Sequence, residues 1–200
     1  MARGLGRIWA EQGHRVCVSS RDPRSAGEAA GAIGHGAQGG SVDRASAFGE
    51  VVLLATPWAA AAEALEAAGP LDGKVLIDCT NPLTEDMSGL AVGHSTSGAE
   101  EIAKMRPGSK VVKAFNTAFA EVFETPSRLF GSRMLTMFFC GDSDEAKMVT
   151  RGLIVQSGFE PVDAGPLRSA RLLEPLAMLM IQLGYAQGMG RNISISLVQR

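Results

Sequence analysis

Aromatic, histidine and cysteine residues are scarce in this sequence: of 200 residues 6% are Phe, Trp or Tyr, three are His and three are Cys. Cys17, Cys79 and Cys140 lie in or beside apolar, strand-like runs, and no CxxC spacing joins them. That pattern argues against a metal centre or a disulfide framework and for buried, reduced thiols. No apolar run reaches the roughly 18 residues of a membrane span, and the opening "MARGLGRIWAEQ" lacks a signal peptide's apolar core, so the chain reads as cytoplasmic. An excess of either charge is missing too. A formal net charge of -2 with both signs interspersed leaves no basic footprint for nucleic acid and no polybasic membrane signal. What the chain has is apolar material: 46% hydrophobic against 20% charged, enough for one sizeable core with at most a small appendage.

Apolar runs alternate with helical stretches. "HRVCVSS" (14–20), "EVVLLAT" (50–56), "KVLIDCT" (74–80), "KVVKAF" (110–115), "RMLTMFFC" (133–140) and "FEPVDAG" (159–165) read as strands, several continuously apolar as in a sheet covered on both faces. Between them "RSAGEAAGAI", "WAAAAEALEAAG", "SGAEEIAKM" and "SDEAKMVTRGLIVQSG" have helical composition and length. This alternation predicts parallel crossovers and a doubly wound α/β domain over residues 1–165, with ligands at the carboxyl ends of the strands. Residues 166–200 form an appendage: a long Met- and Leu-rich helix interrupted by Pro175, then a closing strand "NISISLV". The run Met178–Ile181 is too apolar for a one-sided surface helix, so it packs into the domain or against a second copy in a homodimer.

Residues 34–39, "GHGAQG", match the dinucleotide pattern GxGxxG letter for letter. Those glycines bind phosphate only when a strand enters them and a helix leaves them. Here an Ala-rich helix precedes them, and a short strand and a helix capped by Ser41 follow, so the match is fortuitous. The phosphate site is expected at the start instead, where "ARGLGRIWAEQGHRVCVSSRD" supplies a helix, a stop at Gly13 and a strand. A βαβ dinucleotide unit places a strand of about five residues and GxGxx(G/A) before that helix. Met1 and Ala2 then align with the end of the motif, and the expectation is that on the order of a dozen residues belong upstream. At the end of the next strand, "SSRDP" offers Ser20 and Arg21 to a ribose 2'-phosphate with Arg24 as a second cation, favouring NADP; an ordinary turn capped by Asp22 is the alternative.

"EVVLLATPW", "LDGKVLIDCTNPL", "SGAEEIAKMRPGSKVVKAFNT", "FFCGDSDEAKMV" and "GFEPVDAGPLRSARLLEPLAML", in this order over nearly the whole chain, resemble the NADPH-dependent oxidoreductases related to coenzyme F-420-dependent NADP reductase. The nucleotide-binding domain is also similar to that of membrane metalloreductases. The resemblance implies a Rossmann-like fold, NADP(H) as cofactor and hydride transfer to a deazaflavin (coenzyme F-420), a flavin or another small-molecule acceptor. It implies that Ser20 and Arg21 take the 2'-phosphate, that Thr56 and Pro57 line the ribose, and that Asn81 and Pro82 pass near the nicotinamide. It further places Asn116 and Thr117 by the nicotinamide and the acceptor ring, and Ala2 at the motif's third glycine; the first two glycines have no counterpart in these residues.

Hydride transfer is carried by the cofactors and requires no general acid. Lys113 reads either as an aid to a polar acceptor or as a cation at a strand end, and Gly188–Arg191 as a loop or as a contact for an anionic acceptor tail. Ser97 with Glu100 fits a capping box, and His14 and His94 fall in turns. The alternative to an enzyme is a non-catalytic NADP(H)-binding redox sensor or partner module.

Overall fold

A computed structural model describes residues 1–125, 127 and 129–198. The chain runs through α1 (Ala2–Glu11), β1 (Cys17–Ser19), α2 (Pro23–Ile33), β2 (Gln38–Gly40), α3 (Val42–Phe48), β3 (Val51–Leu54), α4 (Ala61–Ala68) and β4 (Val75–Asp78). It continues through α5 (Gly98–Met105), β5 (Lys110–Ala114), β6 (Leu129–Phe130), β7 (Arg133–Met134), β8 (Thr136–Gly141), α6 (Asp144–Gln156), β9 (Glu160–Asp163) and α7 (Ala170–Ile181). Short 3-10 turns lead into α4 (Trp58–Ala60) and α7 (Leu167–Ser169), another follows β5 (Ala120–Phe123), and α7 runs on into a π-turn, Gln182–Ala186.

The fold is α/β with a mostly parallel sheet. Five strands take the order β3-β4-β5-β8-β9, all pairs parallel except β5 with β8, and β1 pairs β2 in a separate parallel pair. The one antiparallel step arises because, among the described residues, no crossover helix lies between β5 and β8: a 3-10 turn and the β6–β7 hairpin lie there instead.

Side-chain alternation separates two cores. Val75, Ile77, Val112 and Ala114 face α1 and α6, where Leu5, Trp9, Phe115, Phe123, Phe139 and Ile154 pack. Leu76 and Val111 face α4, α5 and α7 with Leu65, Ile102, Ala170 and Leu173. Coverage on both faces explains why β4 and β5 read as unbroken apolar runs. α7 carries Pro175 in its interior at the loss of one backbone hydrogen bond. It buries Leu173, Ala177 and Met180 and leaves Leu172 and Leu179 exposed.

Four expectations need correction. Residues 192–198 form no strand. β8 is flanked by β9 throughout and by β5 from Phe139 onward, so only its first residues have an open edge. The tail meets that edge with one backbone bond, Thr136 N to the Ile195 carbonyl at 3.0 Å, and with side-chain bonds to Thr136 and Met134. Residues 133–140 divide into β7 and β8 rather than forming one strand. Ser41 holds the N-cap position of α3 without bonding a helix N–H, its hydroxyl turned to the Asp43 carboxylate instead. Cys17 is half-buried, whereas Cys79 and Cys140 are buried; all three are free, and burial pushes the thiols of Cys79 and Cys140 up to about 12.

The glycines of "GHGAQG" have structural reasons. Gly34 and Gly36 sit at φ of 73° and 75°, turning the chain from α2 towards β2. At Gly39 a Cβ would lie 2.8 Å from the carbonyl carbon and oxygen of Ala26, so β2 is pressed against the α2 backbone. Gly39→Ala is therefore expected to cost about 1–3 kcal/mol in urea unfolding. Gly27→Ala, with open space around its Cβ, should be neutral or add up to about 1 kcal/mol of helix stability. Equal effects of the two substitutions would contradict this packing.

Candidate functional site

The cross-strand register pairs Asp78 of β4 with Lys113 of β5, and the two-residue alternation turns both towards α5 and α7 with Leu76 and Val111. Neither side chain has any exposed surface. Lys113 Nζ donates to Asp78 Oδ2 at 2.8 Å and to the Thr80 carbonyl at 2.6 Å, and it lies 2.8 Å from Glu174 Oε1 on α7. All three ammonium hydrogens are thereby spent. Burial pulls the Lys113 ammonium down, but the Asp78 and Glu174 carboxylates together outweigh it and hold Lys113 above its ordinary value. Lys113 thus reaches no acceptor, and its role is internal. Glu174, itself buried, accepts from Gly98 N at 2.8 Å and Ala99 N at 3.1 Å, so a side chain of α7 caps the N-terminus of α5. Gly98 makes the approach possible: a Cβ there would meet Glu174 Oε1 and the Trp58 ring at 3.2 Å and Pro82 at 3.3 Å.

This cluster holds the loop after β4. Asp78 Oδ1 accepts from Thr80 N at 2.8 Å while Lys113 binds the Thr80 carbonyl, so both sides of that residue are fixed. Asn81 comes next, and it meets Asn116 twice. Asn81 Nδ2 donates to the Asn116 carbonyl, and Asn116 Nδ2 donates to Asn81 Oδ1, each at 3.0 Å. Asn116 Nδ2 also donates to the Leu173 carbonyl of α7 at 3.0 Å. Asn116 reaches this position because Phe115 before it adopts φ of 65°, a strained conformation for an aromatic residue. Phe115 is held there edge-on to Trp9 at 5.9 Å and Phe123 at 6.1 Å.

Among the described residues four buried side-chain polar atoms lack a hydrogen-bond partner, and three of them are Thr56 Oγ1, Thr80 Oγ1 and Asn116 Oδ1. Each stands two residues beyond the end of its strand, on β3, β4 and β5, three neighbours in one sheet. Buried polar groups without partners are costly and mark a place where a ligand or water completes the bonding. This cradle fits a dinucleotide's polar end, lying where a doubly wound sheet binds its ligand.

The other predicted residues line up less tightly. Pro82 packs by Gly98, and Thr117 is buried beside Asn116. Ala2 opens α1, which has no side-chain cap and no acidic residue in its first turn. Met1 packs against the core that includes Cys79, and its terminal ammonium is close enough to act on the Cys79 thiol just past β4, which brings this helix end to the strand-end side. Such an end suits an anion. Ser20 and Arg21 follow β1, in the separate pair of strands; Arg21 is exposed, 4.0 Å from Glu63 of α4, a contact too open to contribute much. Arg24 is exposed in the first turn of α2, whose N-cap Asp22 accepts from Arg24 N and Ser25 N. The SSRDP stretch is thus a capped turn that leaves both arginines available. Pro57 is exposed before Trp58. Arg191 is engaged with Glu121 at 2.8 Å rather than held ready for an acceptor tail. Thr80, Trp58 and Glu174 escaped the sequence reading. Thr80 had a signal, its place just before Asn81 at a strand's carboxyl end; Glu174 had only the oddity of a carboxylate inside "RLLEPLAML".

A doubly wound sheet whose strand ends gather unpartnered polar atoms has the form of a Rossmann-like fold with its ligand site at the strand ends. The family model "NADP oxidoreductase coenzyme F420-dependent" matches residues 1–82. The F420-dependent NADP reductase of Methanothermobacter thermautotrophicus is 29% identical, over 97% of this chain and 88% of its own length. A crystal structure of an Arthrobacter sp. FB24 protein assigned as an F420-dependent NADP-reductase superposes with a TM-score of 0.88 at 28% identity, covering 98% of this chain and 94% of that one. The rat metalloreductase STEAP3 is 32% identical over 90% of the chain, which spans 35% of that relative's length. Residues 1–82 thus match the coenzyme F420-dependent NADP oxidoreductase family, and the chain is similar over nearly its whole length to a reductase of that name.

Two outcomes follow from the buried cluster and its neighbour. Lys113→Met strands two buried carboxylates and should cost about 3–5 kcal/mol in urea unfolding; a loss below about 1 kcal/mol would show that the cluster is not paired as described. The second concerns Glu100, which binds Arg171 of α7 with both oxygens at 2.8 and 2.7 Å. The Arg171 bond holds the Glu100 carboxyl below its usual range. A lowered folded-state value means stability that is present above the ordinary pKa of about 4.3 and lost as pH falls through the lowered one. The stability gap between the native chain and Glu100→Gln should therefore be largest near neutrality and shrink below about pH 4.3 in pH-dependent unfolding; a gap that ignores pH would reject the pairing.

Proposed function

We propose that this protein is an NADP(H)-dependent oxidoreductase that transfers a hydride between NADPH and a small acceptor, a deazaflavin such as coenzyme F-420 or a flavin. The observation that carries the reading is the row of unpartnered buried atoms on Thr56, Thr80 and Asn116 at three adjacent strand ends. The family match over residues 1–82 and the likeness along nearly the whole chain to an F420-dependent NADP reductase support the choice of cofactor and acceptor. Ser20, Arg21 and Arg24 would hold the 2'-phosphate, the open N-terminus of α1 at Ala2 the pyrophosphate, and Thr56 and Pro57 the ribose. Asn81, Pro82, Asn116 and Thr117 would form the nicotinamide end. Bound there, reduced nicotinamide supplies the hydride; the chain's part is to set the angle and distance of the rings and to keep water out. The fixed Asn81–Asn116 pair serves that purpose, since its orientation is set before any ligand arrives.

Calorimetric titration with NADPH and NADH tests the binding half. NADPH is expected to bind more tightly, and Arg21→Ala should weaken NADPH by about tenfold through loss of a charge-assisted bond while leaving NADH unchanged. Equal loss for both nucleotides would remove Arg21 from the 2'-phosphate site. Transfer of deuterium from stereospecifically labelled NADPH to an added deazaflavin or flavin tests the chemistry. Binding without transfer to any acceptor would reduce the protein to a nucleotide-binding sensor.

A further inference from the structure

Asn116 is 4% exposed, and its amide is more constrained than its surroundings require. A primary amide has two N–H donors and one carbonyl oxygen. Both donors are spent, one on Asn81 Oδ1 and one on the Leu173 carbonyl. A peptide carbonyl only accepts, so the atom facing Leu173 has to be nitrogen and the amide cannot flip. Its oxygen is then the group left over, buried and unpartnered. The neighbouring orphans, Thr56 and Thr80, are hydroxyls that rotate and either donate or accept; Asn116 Oδ1 accepts only. The device that fixes it reaches across the molecule, because Leu173 precedes Glu174 and Glu174 is anchored to Lys113 and to the start of α5.

We propose that Asn116 Oδ1 is the specificity-determining acceptor for the carboxamide N–H of the nicotinamide ring, and that Asn81 and the Leu173 carbonyl are its positioning partners. The inference rests on the nucleotide reading above. An imide N–H of an acceptor ring offers the same chemistry, and titration without any acceptor separates the two sources.

The probes are NADP+, its 3-acetylpyridine analogue, in which a methyl ketone replaces the carboxamide and no N–H remains, and its nicotinic acid analogue, which presents a carboxylate. Each is titrated calorimetrically into the native chain. Loss of one donor to a buried acceptor should weaken the acetylpyridine form by about ten- to a hundredfold, and the carboxylate should bind more weakly still. In Asn116→Ala the ratio of carboxamide to acetyl binding should fall to about one, whatever the absolute affinity. NADP+ binding with no discrimination in the native chain would overturn this inference and leave the nucleotide reading standing. Failure of all three to bind would overturn both. The comparison of ligands on the unmodified chain stands even if the variant fails to fold.

Discussion

The buried cluster of Asp78, Lys113 and Glu174 is the constraint on which the site depends. Two carboxylates and one ammonium leave a residual negative charge in the interior, and burial of that kind is expensive unless every lone pair and hydrogen is used. Here they are used: the ammonium has three acceptors, Asp78 also takes Thr80 N, and Glu174 takes the first N–H groups of α5, whose dipole offsets the surplus charge. Such a cluster is a weak source of stability relative to apolar packing, but it tolerates only one arrangement of its parts. β4, β5, α5 and α7 are therefore fixed relative to one another at the place where the loops carrying Asn81 and Asn116 begin.

The consequence runs outward in steps. Thr80 is clamped through its own backbone, Asn81 follows in a set direction, and Asn116 is turned to meet it by a left-handed Phe115. That strain is sustained by the aromatic packing of Trp9 and Phe123, on the opposite face of the sheet from the ion cluster. Polar order on one face and apolar packing on the other thus converge on one pair of amides. A rigid pair of this sort suits a reaction whose chemistry belongs to its cofactors, because positioning is then most of what the protein contributes.

Much of the architecture was legible in the sequence. The strands at 51–54, 75–78, 110–114 and 160–163 fall inside runs read as strands, and 136–141 overlaps the run at 133–140, because continuous apolar stretches of that length suit a sheet covered on both faces. The capping residues Asp22 and Ser97 were legible for a similar reason, since a cap depends on atoms two or three residues away. The errors lie where a segment's fate depends on what its neighbours leave free. "NISISLV" alternates like a strand, yet β5 and β9 occupy most of the edges of β8, so the tail finds room for one backbone bond. Lys113 read as a strand-end cation, yet β5 is central and the residue is enclosed.

The sequence by itself determined the class of fold, the positions of most strands and helices, and the short polar motifs at strand ends, because these follow from side-chain periodicity and from bonds between residues near in the chain. Tertiary structure alone decided that Lys113 meets both Asp78 and Glu174, that Asn116 gives both its N–H groups to Asn81 and Leu173, and that three polar atoms past the ends of three strands are left without partners. Those contacts join residues 35 to 61 positions apart. No local pattern encodes such a meeting; it exists only once the sheet's register and the docking of α7 have brought the groups within hydrogen-bonding distance.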